Sequence, residues 1–181
     1  MPGTDISAFR FAVGDRLFFD TNIWFYLFPV VGMSQSQASA IYTRSFKNIL
    51  QAKSTIYIDQ IVLSEYINRF AKIKYDIFKG TTGQEISFKD FRNSSGFDPI
   101  AETISLFSGR ILRLCTRIDC PFVKIDIHRI MSEFSSEKKD FNDQIISEVC
   151  KADNLKLVTN DGDFDKYTLD ILTCNPELLR S

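Results

Sequence analysis

Histidine is almost missing from this chain, with His128 its single copy. That argues against a His-rich structural zinc site, and nothing sets a carboxylate or a nucleophile beside it for triad chemistry. The four cysteines, Cys115, Cys120, Cys150 and Cys174, are scattered and form no Cys-x-x-Cys pair. They read as reduced, mostly buried thiols of a cytoplasmic protein. Met1 to Arg16 lacks the apolar core of a signal peptide, and no apolar run is long enough to cross a bilayer, so no membrane partner is expected. An excess of positive charge is also missing, since the net charge is −1. A polyanionic partner would therefore have to be held by a local basic face rather than by the whole surface. No internal repeat and no domain boundary interrupts the chain.

What is present is material for one sizeable core. The 181 residues are 44% apolar and include 17 phenylalanines, which suits a single domain spanning 1–181. Short apolar runs alternate with stretches of helical period. Leu17-Phe18-Phe19, Thr55-Ile56-Tyr57-Ile58, Pro121 to Ile125, Lys156 to Thr159 and Leu169 to Leu172 read as strands. Between them a short helix capped by Thr21 or Asn22 runs to Phe28, and another ends near Ala52. Longer ones cover Gln60 to about Phe78, a stretch opening at Pro99, a stretch through Phe134 and Asp140 to about Ala152. Ser135 to Lys139 reads as a charged turn. Residues 1–16 form a short N-terminal extension, and 80–98, rich in Gly, Thr, Ser and Asn, reads as a flexible loop. Strands separated by helices predict an α/β fold, a mostly parallel central sheet covered on both faces.

Acidic residues sit where that sheet meets its helices. Asp20 ends the first apolar run, and Asp161 and Asp163 follow the run Leu155-Lys156-Leu157-Val158. Carboxylates delivered to the C-terminal edge of a parallel sheet lie where open α/β folds place ligands. Glu65 lies early in the helix after the second strand, and Asp143 opens a later helix, three residues after Asp140. Each has an ordinary structural explanation: cap, turn residue, dipole partner, or ion pair with Arg69. Together they describe a carboxylate cluster, and clustered carboxylates need a divalent cation to offset their repulsion. A metal-dependent enzyme is the leading expectation.

In order and local context these residues resemble the PIN-domain family of ribonucleases, particularly the toxin nucleases of bacterial toxin–antitoxin pairs. Asp20-Thr21-Asn22 looks like the family's opening strand end, and Ser64-Glu65 like its second acid. Asp143 in Asp-Gln-Ile-Ile-Ser-Glu-Val-Cys-Lys-Ala resembles the third. Leu157-Val158-Thr159-Asn160-Asp161-Gly162-Asp163-Phe164 resembles the late strand, with Asp161 as fourth acid and Asp163 an additional one. The likeness runs from about Leu17 to Leu172. It departs from the pattern at Glu148, Cys150 and Lys151, where small residues are usual, and in the long segment between Glu65 and Asp143.

The resemblance implies a three-layer α/β/α sandwich and an endoribonuclease using Mg²⁺ or Mn²⁺. Its catalytic and metal-binding acids would be Asp20, Glu65, Asp143 and Asp161, with Asp163 as a further metal ligand. Asp20 and Asp143 would be principal ligands, and Thr21, Asn22 and Thr159 would orient carboxylates or waters. RNA would be the substrate, and an antitoxin protein and a second copy of the chain the expected partners. Arg110, Arg113 and Arg117, or Lys72, Lys74 and Lys79, could hold phosphates if they are more than a solvated helix face. Trp24 and Tyr26 could stack on bases, although core packing explains both. Two alternatives differ in class. A haloacid-dehalogenase-type phosphohydrolase would use Asp20 as nucleophile, yet Asn22 stands where that class wants a second acid. A non-catalytic PIN-like module would bind RNA or protein without turnover.

Overall fold

Leu17, Phe18 and Phe19 are all at most 1% exposed although successive strand residues point to opposite faces, so the sheet must be covered on both sides. A computed structural model describes residues 2–32 and 36–180. Its strands are β1 (Thr4–Asp5), β2 (Arg16–Phe19), β3 (Thr55–Ile58), β4 (Thr116–Arg117), β5 (Lys156–Val158) and β6 (Ile171–Thr173), in the order β1-β6-β5-β2-β3-β4. Every pairing is parallel. The helices among the described residues are α1 (Thr21–Leu27), α2 (Gln37–Ala52), α3 (Gln60–Thr82), α4 (Phe88–Arg92), α5 (Asp98–Leu114), α6 (Ile127–Glu137) and α7 (Phe141–Ala152). The expected α/β/α sandwich is what the chain forms.

The order of the strands positions the site. β2 is central, with β3 on one side and β5 on the other, so the chain crosses over between them. Phe19 pairs with Val158, which leaves Asp20 and Thr159 side by side just past the ladder. The Asp20 amide extends the ladder by one bond, donating to the Val158 carbonyl at 3.0 Å. Such a crossover is the crevice where parallel sheets bind ligands.

Several expectations require correction. Pro121 to Ile125 is no strand: Phe122–Lys124 forms a 3-10 turn with Val123 99% exposed, and the edge strand is Thr116–Arg117. An apolar run without a buried face has nothing to hold it in a sheet. Arg117 consequently lies on β4 and not on the helix of Arg110 and Arg113. Residues 1–16 are more than an extension, because Thr4–Asp5 pairs with β6 and Ile6 is buried. The Ser135–Lys139 turn is shorter than expected: α6 continues to Glu137, and Lys138 closes it in the left-handed conformation at φ 54°. Only Cys150 of the four free thiols is buried; the others are half-buried.

The segment 80–98, expected as a flexible loop, instead carries the end of α3, the short helix α4 and a 3-10 turn at Ser95–Phe97. α3 runs on to Thr82 and is closed by Gly83, whose φ of 67° favours glycine. Ser87 caps α4, accepting from the Asp90 amide at 3.1 Å. Phe91, 2% exposed, then packs its ring among Phe78 (5.1 Å), Tyr75 (5.5 Å) and Phe97 (5.5 Å). Three phenylalanines in a polar segment supply the apolar burial that overrides its turn-rich composition. The polar residues Ser34 to Ser39 are expected from the sequence to lead into the second helix; Ser34 and Gln35 lie outside the described residues, and Ser36 caps α2.

Candidate active site

Asp20 follows β2 directly and is itself the cap of α1, in place of Thr21 or Asn22. It is 6% exposed and accepts three kinds of donor: the Thr21 amide at 2.6 Å, the Thr159 hydroxyl at 2.7 Å and the Asn22 side-chain amide. Burial pushes its carboxyl up to about 7, with the charges of Glu65 and Asp161 adding to the rise. The hydrogen bonds from Thr159 and Thr21 oppose that shift because they favour the ionised form.

The other expected acids converge on the same edge. The Thr21 hydroxyl donates to Glu65 at 3.0 Å, so one residue ties the end of β2 to the second turn of α3. Glu65 also stands 3.9 Å from Arg69, the predicted i,i+4 pair. Asp143 lies in the first turn of α7, whose cap, Asp140, accepts from the Asn142 and Asp143 amides at 2.7 and 3.3 Å. Burial, followed by the charges of Asp140, Asp20, Asp161 and Asp163, raises Asp143 to about 8. Asp161 and Asp163 are exposed; the Asp163 amide donates to Asp161 at 3.0 Å, and Lys166 bonds the Asp163 carboxylate at 2.7 Å. All of them, Asp140 included, line one cleft of about 230 Å³, where Arg69 is the only lining cation among the described residues.

Thr159 and Asn22 lock the two strand ends together. The Asn22 side chain donates to Thr159 at 3.2 Å and accepts from the Asn160 amide at 3.2 Å. Thr159 is fully buried and also accepts from the Asp161 amide at 3.0 Å. Each of Thr21, Asn22 and Thr159 therefore touches one of the clustered acids, as a residue that orients carboxylates should.

Two tyrosines were not foreseen. The hydroxyl of Tyr42, 1% exposed, donates to the Thr159 carbonyl at 2.9 Å and accepts from the Cys174 amide at 3.1 Å, pinning β5 to β6 beside the cleft. The Tyr167 hydroxyl is buried with no protein partner, and burial together with Asp143, Asp140 and Glu133 makes its ionisation unfavourable. A lone aromatic in an apolar pattern looks like core, so neither had a distinguishing signal. The packing explanation holds for Trp24, fully buried 5.2 Å from Phe19, and for Tyr26, stacked on Tyr42 at 5.2 Å. His128 is exposed. Of the expected basic clusters, Lys74 bonds the Val31 carbonyl at 3.1 Å and Lys79 pairs with Glu85 at 3.1 Å; Lys72 alone borders the site region.

Among the described residues no three His, Cys, Asp or Glu side chains are posed to hold an ion as they stand. The donor set nonetheless fits a hard divalent cation. It is entirely oxygen-bearing, and its two most buried acids are held from ionising by burial and mutual repulsion. A positive charge in the cleft would relieve both effects.

A family model described as PIN domain matches residues 17–169. Among solved structures, the chain resembles one from VapBC2 of Rickettsia felis, crystallised bound to a DNA fragment from its promoter. The two are 20% identical, with a TM-score of 0.53, and the likeness covers 87% of this chain and 97% of the other. No curated protein matches.

Proposed function

This chain belongs to the PIN-domain family, and from that premise we propose that it is a metal-dependent endoribonuclease. The observation that carries the reading is the convergence of six carboxylates from four segments on one cleft, at the C-terminal edge of the central strands. Asp20 and Asp143 are the principal ligands of Mg²⁺ or Mn²⁺, Glu65 and Asp161 complete the shell directly or through water, and Asp163 is an additional ligand. A bound divalent ion activates water and neutralises charge developing on phosphorus and the leaving oxygen.

The chain's own residues prepare that chemistry. Thr159, Asn22 and the Thr21 amide hold the Asp20 carboxylate in one orientation. Thr21 does the same for Glu65. Asp20 and Asp143, raised to about 7 and about 8, must give up protons as the ion binds, so affinity for the ion rises with pH. Arg69, beside Glu65, is placed to meet a phosphate entering the acidic cleft.

The same reading makes the protein a toxin of a toxin–antitoxin pair, acting in the cytoplasm. An antitoxin segment would lie across the acidic edge, and a homodimer is expected. The family match favours this account over a haloacid-dehalogenase-type phosphohydrolase. No described helix is long and apolar enough to cross a membrane. The test is cleavage of end-labelled single-stranded RNA with Mn²⁺, with Mg²⁺ and with EDTA, against equally folded Asp20→Asn. Metal-dependent cutting that disappears in the variant is the expected result. Retained turnover in Asp20→Asn would sink the residue assignment. Failure of the protein both to cut and to bind a divalent ion would leave the non-catalytic module.

A further inference from the structure

The acidic cleft repels the phosphates of the substrate proposed for it, so a polyanion needs cations on its way in or out. Among the described residues Arg69 is the single cation lining the cleft, Lys166 being paired with Asp163 at its edge, and Arg69 also lines a larger groove of about 950 Å³ running along α3. Glu65 and Asn142 are shared between cleft and groove as well. Beyond Arg69 the groove offers Lys72, then an apolar floor that includes Ile61, Ile73 and Phe88. At a helical rise of 1.5 Å per residue, Lys72 stands about 10 Å along the axis from Glu65. By contrast, the groove beside Arg44 and Lys47 on α2 shares no lining residue with the cleft.

We infer that the α3 groove is the path of single-stranded RNA flanking the cut: Arg69 and Lys72 hold successive phosphates, and Phe88 receives a base. This rests on the nuclease reading and specifies which surface carries the substrate. Arg69 has a side chain more than half exposed, held by a long 3.9 Å pair with Glu65 and by the Phe25 ring at 5.3 Å. Lys72 is ion-paired with Asp76 on the same helix at 3.1 Å, with both side chains more than half exposed, and its ammonium also lies 4.5 Å from the centre of the Tyr75 ring; exposed pairs of this kind exchange readily for a phosphate. Lys72 also lies 5.7 Å from the centre of the Phe88 ring, so phosphate and base contacts fall within one nucleotide's reach. An unpaired strand suits this floor because its bases are free to stack, whereas a duplex buries them.

The test is fluorescence anisotropy of a labelled single-stranded oligouridine on full-length Asp20→Asn in EDTA, where binding is read without cutting. Lys72→Gln should weaken binding and flatten its logarithmic salt slope by about 0.7, one phosphate contact on a single strand. The Phe88 ring packs 5.3 Å from that of Tyr75, so Phe88→Leu, which keeps an apolar side chain there while removing the ring, should weaken binding about tenfold with little change in salt slope. Joint replacement of Arg44 and Lys47 by Gln should change affinity less than either. Circular dichroism verifies that each variant is folded. The path is overturned if the groove variants bind as the parent does, or if the α2 variant loses as much as they do. RNA cutting by the unmutated chain separates this from the underlying reading. Persistent cutting with unaffected groove variants rejects the path alone; weakened groove variants in a protein that neither cuts RNA nor binds Mn²⁺ reject the nuclease and leave an RNA-binding surface.

Discussion

Two regions along α3 use the same helix in opposite ways. Towards its C-terminal end, α3 contributes Tyr75 and Phe78 to an aromatic cluster with Phe91 and Phe97, where rings meet at about 5 Å. Near its start, the helix presents Glu65 to a cleft where like charges crowd and two carboxyls are driven towards neutrality. The first arrangement lowers the free energy of the fold; the second raises it. Such a difference is expected where a rigid scaffold holds groups in positions that serve a ligand better than they serve folding. Substitutions should therefore have opposite signs in the two regions.

The largest effect is expected in the cluster. Phe91→Ala should cost about 3–5 kcal/mol in urea unfolding, because it removes a fully buried ring and leaves a cavity. A cost under about 1 kcal/mol would mean that the 80–98 segment contributes little to the core.

Tyr42→Phe, at the boundary between site and core, comes next. It keeps the ring but strips a buried hydroxyl from the Thr159 carbonyl and the Cys174 amide, for about 1–3 kcal/mol. Unchanged stability would show that the β5 and β6 ends need no such pin.

The smallest and most diagnostic effect is at Asp143, and its sign should reverse. Its carboxyl is raised from an ordinary 3.8 to about 8, so between those values the folded chain keeps a proton that the unfolded chain has released. Stability of the metal-free protein should therefore fall as pH rises through that window, and Asp20 acts in the same direction up to about 7. Asp143→Asn should melt like the parent near pH 4 and increasingly above it towards pH 8. After solvent screening is allowed for, about 2–4 °C is expected, the shift from 1 kcal/mol in a domain this size. A variant that melts below the parent at pH 8 would contradict the repulsion described here.

The same contrast explains what could be read from the amino-acid order. β2 and β5 were legible because continuous apolar runs stop at acids, and the positions of Asp20, Glu65, Asp143 and Asp161 followed from local context. β1 and β4 were not, since two exposed polar residues carry no period and are held only by their neighbours in the sheet. Pro121 to Ile125 misled because apolar composition alone cannot tell an exposed turn from a buried strand. Tyr42 and Tyr167 carry no signal in the amino-acid order, because whether a hydroxyl meets a distant backbone, as Tyr42 does, or is buried without a partner, as in Tyr167, is decided by the tertiary packing.

Whether a divalent cation completes this cleft is decided by titrating the metal-free protein with Mn²⁺ in a calorimeter. The titration is run at pH 7 in two buffers of different ionisation enthalpy. Saturable binding is expected, with an apparent enthalpy that differs between the buffers because Asp20 and Asp143 release protons as the ion enters, and with loss of that binding in Asp20→Asn. Absence of binding by the unmutated chain, or equal binding by the folded variant, would contradict it.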